Sequence, residues 1–273
     1  MTGRDEALAM GLDTSTAHPA RRYNYWLGGK DHFAVDRESG DRIAAAFPTV
    51  RTAARQNREF LKRATGFLTR VAGIRQFLDI GTGLPTAENI HEVAQAIAPE
   101  SKIVYVDNDP MVTSHARALL SGDPRGATTY LEADLREPEK ILAHPQLRQT
   151  LDLGQPVGLM LIAVLHFVHG TGAATPIVRH LLGALPAGSY LVVSAATLDF
   201  HPPEGAAIQE AMLADGRTDV WARSRAEIAD LFDGLELVEP GIVAVSDWRA
   251  ETEPGFRPSP AEVALYGGVG RLG

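Results

Sequence analysis

The chain of 273 residues contains no cysteine. Disulfides, thiolate zinc sites and any mechanism built on a thiolate nucleophile are therefore excluded. It also lacks an unbroken run of 18 apolar residues, so no segment reads as a membrane span. The start, Met1-Thr2-Gly3-Arg4-Asp5-Glu6, is polar and carries no apolar signal region, which makes the cytoplasm the expected location. Positive charge is in deficit: 26 Lys and Arg against 34 Asp and Glu give a formal net charge of -8, unfavourable for a broad surface that neutralises phosphates, and so for nucleic acid as partner. Internal repeats and low-complexity tracts are absent. What remains, 45% hydrophobic and 22% charged residues, is the composition of a globular protein with one main core and additions.

From residue 75 onward, apolar runs at 76–80, 102–107, 128–132, 157–165, 189–196, 235–245 and 263–269 alternate with helix-like segments at 86–98, 110–121, 138–151, 174–185, 204–215 and 225–233. That alternation predicts an α/β fold with a mostly parallel sheet. The last two runs are joined by a proline-rich stretch containing Pro254, Pro258 and Pro260, which allows them to run antiparallel. Residues 1–74 read as a mainly helical cap, with 51–69 its clearest amphipathic stretch, ahead of a main domain over 75–273. Arg51, Arg55, Arg58, Lys62 and Arg63 recur there at helical spacing, as a solvated face or a local basic patch.

Gln76-Phe77-Leu78-Asp79-Ile80-Gly81-Thr82-Gly83-Leu84-Pro85-Thr86 reads as a buried strand breaking into a glycine turn that opens a helix, with Pro85 as first helical residue. Small residues there let the backbone approach a nucleotide-like cofactor. A dinucleotide fingerprint wants a third glycine where Thr86 stands, and Asp79 at the strand tip repels phosphate but suits an ammonium group. S-adenosylmethionine has that ammonium and no phosphate; a nicotinamide-dependent reductase fits less well. Asp107, ending the second run 24 positions after Gly83, is placed for ribose hydroxyls, near the roughly 20 expected. Asp134 closes the third run, either to accept from an adenine amino group or to cap the next helix, with Leu135 as an adenine wall. With such a cofactor, the missing thiol rules out methylation at carbon 5 of cytosine.

The fourth run ends at Val164-Leu165-His166-Phe167, without the Asn/Asp-Pro-Pro-aromatic turn common in enzymes that methylate adenine or glutamine nitrogen. His166 is a candidate general base or, equally, a structural histidine bonded to backbone. A metal site on His166 and His169 lacks a third ligand. Asp199, His201 and Glu204 follow the fifth run as weaker candidates. Tyr23, Tyr25 and Trp26 crowd the segment ending Gly28-Gly29-Lys30-Asp31, which either lids the pocket, with Tyr23, Tyr25 and Lys30 facing substrate, or anchors the cap.

Arg21-x-Tyr23-Asn24-Tyr25-x-Leu27-Gly28-Gly29-Lys30-Asp31, Gln56-Asn57-Arg58-x-Phe60-Leu61, the turn at 76–86, Tyr105-Val106-Asp107-Asn108-Asp109-Pro110, Ala133-Asp134-Leu135-Arg136 and Leu165-His166-Phe167 together resemble an actinobacterial family of class I S-adenosylmethionine-dependent methyltransferases long without assigned function. The resemblance covers nearly the whole chain. It implies the Rossmann-like seven-stranded methyltransferase sheet, with Asp79, Gly81, Thr82, Gly83, Asp107, Asn108, Asp134, Leu135 and Ala163 at cofactor positions. Asn24 stands where relatives commonly show Asp. The expected activity is methyl transfer to an oxygen or nitrogen of a small molecule, with neither nucleic acid nor membrane as partner; the alternative is a regulator that binds S-adenosylmethionine or S-adenosylhomocysteine without turnover. Acceptor identity and oligomeric state are not legible.

Overall fold

Residues 76–80 form β1 (Gln76–Ile80), buried at every position, with successive side chains sent to opposite faces of a sheet. The computed structural model describes residues 13–86, 88–112, 114, 125–202, 207, 210, 211, 213, 214, 216, 219–250 and 257–273. The helices expected over 110–121 and 204–215 lie largely outside these residues, as do Glu204 and Pro254. Among the described residues three helices precede β1: α1 (Pro19–Trp26), α2 (Ala34–Ala46) and α3 (Val50–Arg70). After it come α4 (Ile90–Ile97), β2 (Lys102–Asp107), β3 (Ala127–Glu132), α5 (Pro138–Ala143), α6 (Pro145–Thr150), β4 (Gly158–Ile162), α7 (Ala174–Leu182) and β5 (Tyr190–Ala196). The chain finishes with α8 (Arg225–Ala229), β6 (Leu235–Leu237), β7 (Val243–Ala244), α9 (Pro260–Val263) and β8 (Leu265–Leu272).

The sheet runs β3-β2-β1-β4-β5-β8-β6, with β7 also on β8. β1 to β5 are mutually parallel, while β8 is antiparallel to β5, β6 and β7. The sheet thus has eight strands where seven were expected. The run 235–245 divides at Pro240-Gly241: proline has no N–H for a ladder, Gly241 sits at φ +83°, and its N–H turns back to Val238 O at 2.9 Å. Pro145 divides the expected helix 138–151 in the same way, with the His144 side chain capping the second piece. The helix after the glycine turn also starts later than Pro85. Asn89 and Glu92 form a capping box, with Asn89 extended as N-cap, so the turn occupies residues up to 89.

Alternation along the strands gives a core on each face. Leu78, Ile80, Val104, Val106, Leu159 and Leu161 pack on one side with α5, α6 and α7. Phe77, Ile103, Met160 and Val192 pack on the other with Phe60, Leu61, Ala64 and Leu68 of α3, so the longest N-terminal helix shares the core of the sheet. The glycines of β8 admit this covering: a Cβ at Gly267 would press on the Phe60 ring at 3.0 Å.

Candidate active site

The parallel strands all end on one side, and there a cavity of about 1060 Å³ opens between their tips and α1 to α3. This is at the top of the roughly 300–1,000 Å³ typical of ligand pockets. Asp79, Gly81, Thr82, Gly83, Asp107, Asn108, Asp134, Leu135, Ala163, His166 and Tyr23 line it. Tyr25 and Lys30 do not. The Tyr25 hydroxyl donates to Asp41 Oδ1 (2.8 Å) while its ring lies 4.6 Å beneath the Arg51 guanidinium, and Lys30 is exposed. Asn24 faces its own turn: its Oδ1 accepts from Asp31 N–H (3.0 Å), a contact that amide and carboxylate make equally well.

The acids differ sharply in their surroundings. Burial at the end of β1 pushes the Asp79 carboxyl up to about 7, opposed by a hydrogen bond from Thr82 and by the positive charge of Arg58. Burial raises Asp107 as well, although its Oδ2 accepts from Gly83 N–H (2.7 Å) and its Oδ1 from Asp109 N–H (3.0 Å). Asp134 goes the other way, to about 2, because the Arg136 side chain and backbone donate to it; Asn108 Nδ2 lies 3.4 Å from its Oδ2. Gly81, at φ +77°, passes so close to Val164 that a Cβ would overlap that side chain. Gly83, at φ +69°, has only the Ala20 methyl within 4 Å of its missing Cβ, leaving its backbone open to a ligand.

Beyond β4 the chain is strained: Ala163 takes φ +53°, rare for a residue with a Cβ. A polar chain holds it. Ala163 N–H donates to Ser194 Oγ (3.0 Å), Ser194 Oγ donates to Asn57 Oδ1 (2.6 Å), Asn57 Nδ2 donates to the Tyr23 hydroxyl (3.0 Å), and that hydroxyl donates to Ala54 O (2.9 Å). One network therefore joins α1, α3, β5 and the β4 tip. His166 follows in a single 3-10 turn. Its Nδ1 accepts from Ala196 N–H (3.3 Å), and burial lowers its pKa to about 4. A neutral ring with Nδ1 so engaged carries its proton on Nε2, which makes it a donor there and matches the backbone-bonded alternative better than a general base.

Two buried arginines fasten α1 over the opening. Arg21 Nε donates to Asp109 Oδ2 (3.1 Å), and Asp109 in turn hydrogen-bonds Asp107. Arg22 Nη2 reaches both oxygens of Asp219, at 2.5 and 2.6 Å. Sequence reasoning held Arg21 and Asn57 only as motif positions without a role, and assigned none to Arg22, Ser194 or Asp219. A polar residue on the buried face of α3 and a serine inside the apolar fifth run were the available signals for two of them. The basic residues of α3 go to separate partners: Arg58 lines the cavity, Lys62 pairs with Glu59 and Glu88, and Arg63 donates to Val245 O and Trp248 O. Among the described residues no group of three potential metal ligands occurs, and no helix is long and apolar enough to cross a membrane.

A family model described as S-adenosyl methyltransferase matches residues 5–273. The chain belongs to this S-adenosyl methyltransferase family. A DUF574 family protein from Streptomyces avermitilis is 47% identical, with a TM-score of 0.88, covering 96% of this chain and 99% of its own. A methyltransferase candidate from Thermobifida fusca is 40% identical at TM-score 0.86, covering 96% and 97%. An O-methyltransferase family protein from Burkholderia thailandensis, 15% identical at TM-score 0.50 over 98% of this chain and 67% of its own, shares the fold. No curated protein matches the chain.

The cofactor of this methyltransferase is S-adenosylmethionine, and the residues present suit it. Two carboxyls that burial raises above their ordinary range gain most from ligand ammonium and hydroxyl donors, and once ionised would repel a pyrophosphate. The open backbone at Gly83 lies beside them.

Proposed function

We propose that this methyltransferase moves the methyl group of S-adenosylmethionine to a nucleophilic oxygen or nitrogen of a small molecule. The observation that carries the reading is the reach of the cavity. Its lining extends from the tips of β3, β2 and β1, past β4, to the end of β5 and the start of β8. Those six strands span five intervals in the sheet order, about 24 Å at roughly 4.8 Å each. Such a length accommodates a cofactor together with an acceptor, which supports turnover over storage of a cofactor by a regulator.

Bound S-adenosylmethionine supplies an electrophilic methyl on a sulfonium sulfur. In this proposal Asp79 pairs with an ammonium, Gly81, Thr82 and Gly83 let the backbone approach, Asp107 and Asn108 hold ribose hydroxyls, and Asp134 and Leu135 frame the adenine. Ala163 forms the floor between the halves, and Tyr23 stiffens it through Asn57 and Ser194. His166 walls the acceptor side as a neutral donor. Acceleration then comes chiefly from holding the reactants about 3–3.5 Å apart in a dry site. Of the expected cap over 1–74, α1 and α2 act as the lid in this reading while α3 belongs to the core of the sheet, and the cytoplasm is the place of action.

Calorimetry of S-adenosylmethionine, S-adenosylhomocysteine and nicotinamide dinucleotides tests the assignment. The two methionine-derived ligands are expected to bind, the dinucleotides not, and Asp107→Ala to weaken binding at least about 10-fold through lost charged hydrogen bonds. Unchanged affinity in the variant refutes the role of Asp107. Cell extract incubated with a labelled methyl donor then identifies the acceptor by mass spectrometry.

A further inference from the structure

The two halves of the cavity differ in chemistry. Beyond β4 the walls are Trp26 of α1, Ile43 of α2, Phe47 just after it, Val50 and Ala54 of α3, and Leu265 of β8. Trp26, Ile43, Val50 and Ala54 form an apolar cluster of their own, and Phe47 packs against both it and the core of the sheet on the α3 side. Four carboxylates occur among the described lining residues. Asp79, Asp107 and Asp134 stand at the tips of β1 to β3, and the fourth, Asp219, is held by Arg22. No carboxylate among these is left on the far side to receive a cation. A donor is left there instead: Arg22 is buried, lines the cavity, and its Nε has no hydrogen-bond partner.

Of the imidazoles at the β4 tip, the buried His166 is a poor proton acceptor, and His169, at an exposed position, keeps its free Nδ1 at the rim. His166 Nδ1 takes the Ala196 N–H, and His169 Nε2 donates to Asp219 O at 2.7 Å. An alkylammonium entering this half would meet an apolar wall and the Arg22–Asp219 pair, with no unpaired carboxylate among the described lining residues to receive it. An oxygen that is ionised before it arrives needs no base, and the Arg22 Nε–H is the donor without a partner that it can engage.

Building on the methyltransferase reading above, we propose that the acceptor is an apolar molecule whose reacting oxygen is already an anion near neutral pH, a carboxylate or an acidic phenolate, selected through Arg22. Its lone pair forms the new oxygen–carbon bond as the methyl–sulfur bond breaks. The released electron pair stays on sulfur, turning the sulfonium into a neutral thioether, and no proton moves.

The test uses the full chain saturated with S-adenosylhomocysteine and two fluorescent probes that share a ring system, 2-naphthoate and 2-(aminomethyl)naphthalene. Naphthoate is expected to bind at least about 10-fold more tightly than the amine, and Arg22→Gln to remove that preference. Ala46→Trp, at an exposed position on the cavity wall, is expected to weaken both probes while the affinity for S-adenosylhomocysteine changes less than about 3-fold. Labelled donor offered separately to apolar carboxylic acids, acidic phenols and amines then separates the sources: base-labile label marks an ester, and base-stable label an aryl ether on a phenol or an N-methyl group on an amine. Equal or tighter binding of the amine, a preference that survives Arg22→Gln, or label found only on nitrogen overturns the proposal. Failure of S-adenosylhomocysteine itself to bind would instead overturn the methyltransferase reading beneath it.

Discussion

Replacing Asp79 by Asn is expected to stabilise the free protein and weaken its hold on cofactor at the same time. The carboxyl is buried on β1, which raises its pKa from an ordinary value near 3.8 to about 7. In the unfolded chain Asp79 ionises near pH 4, whereas in the folded chain it keeps its proton until about pH 7. The folded state therefore holds the extra proton between those values, and stability falls as pH rises across that window. At about 1.4 kcal/mol per tenfold change in proton affinity, the full loss above pH 7 is about 4 kcal/mol, of which about 3 kcal/mol falls between pH 5 and pH 8. Asparagine cannot ionise and its Oδ1 can still accept from Thr82, so the variant lacks this slope. Urea unfolding of both proteins at pH 5, 6, 7 and 8 measures it. Cofactor binding should move oppositely: an ammonium that pairs with Asp79 requires the ionised form, so below pH 7 binding expels a proton, visible as a dependence of calorimetric enthalpy on the buffer's ionisation enthalpy. Parallel pH slopes in the two proteins, or binding without proton release at pH 6, would refute the reasoning.

Gly81→Ala drives a Cβ into Val164 at φ +77° and is expected to cost about 1–3 kcal/mol or more, with Val164→Ala restoring part of it in the double variant; thermal melts decide. His166→Gln is expected to retain turnover to within about 10-fold, because a neutral ring bonded to Ala196 N–H is not the base, whereas a true general base would cost about 100-fold or more in kcat. For the same reason the pH profile of kcat should show no limb near 6.5 from this residue. Arg21→Met leaves Asp109 buried without its guanidinium and is expected to destabilise by about 3–5 kcal/mol, with Asp109→Asn recovering much of the loss in chemical denaturation.

Strand and turn positions were legible wherever local chemistry decides the backbone. The runs at 76–80 and 102–107 appear as β1 and β2 with those bounds, since an unbroken apolar stretch ending in an acid and a glycine has few other places to go in an α/β fold. The turn at Gly81 and Gly83 was equally plain, because both glycines occupy the left-handed region that other residues avoid. Where a proline or a cap competed with periodicity, the pattern misled: helix 138–151 breaks at Pro145, and Asn89 starts α4 later than Pro85 suggested. Tyr25 and Lys30 read as lid residues from their crowded segment, but α1 turns Tyr25 towards Asp41, since helical phase is a property of the packed helix rather than of composition, and Lys30 lies exposed beyond the end of α1.

The sequence by itself determined the cofactor and a mostly parallel sheet, since both depend on short-range spacing of glycines, acids and apolar runs, and its motifs together resembled the family that the chain belongs to. Only the tertiary structure decided the state of each acid. Asp79 rises and Asp134 falls because one is desolvated and the other meets Arg136, and free energies of burial and pairing exist only once the chain has brought distant groups together. The same holds for the apolar half of the cavity. Its walls come from residues more than two hundred positions apart, Trp26 and Leu265, and no local pattern in the chain marks them as facing one space.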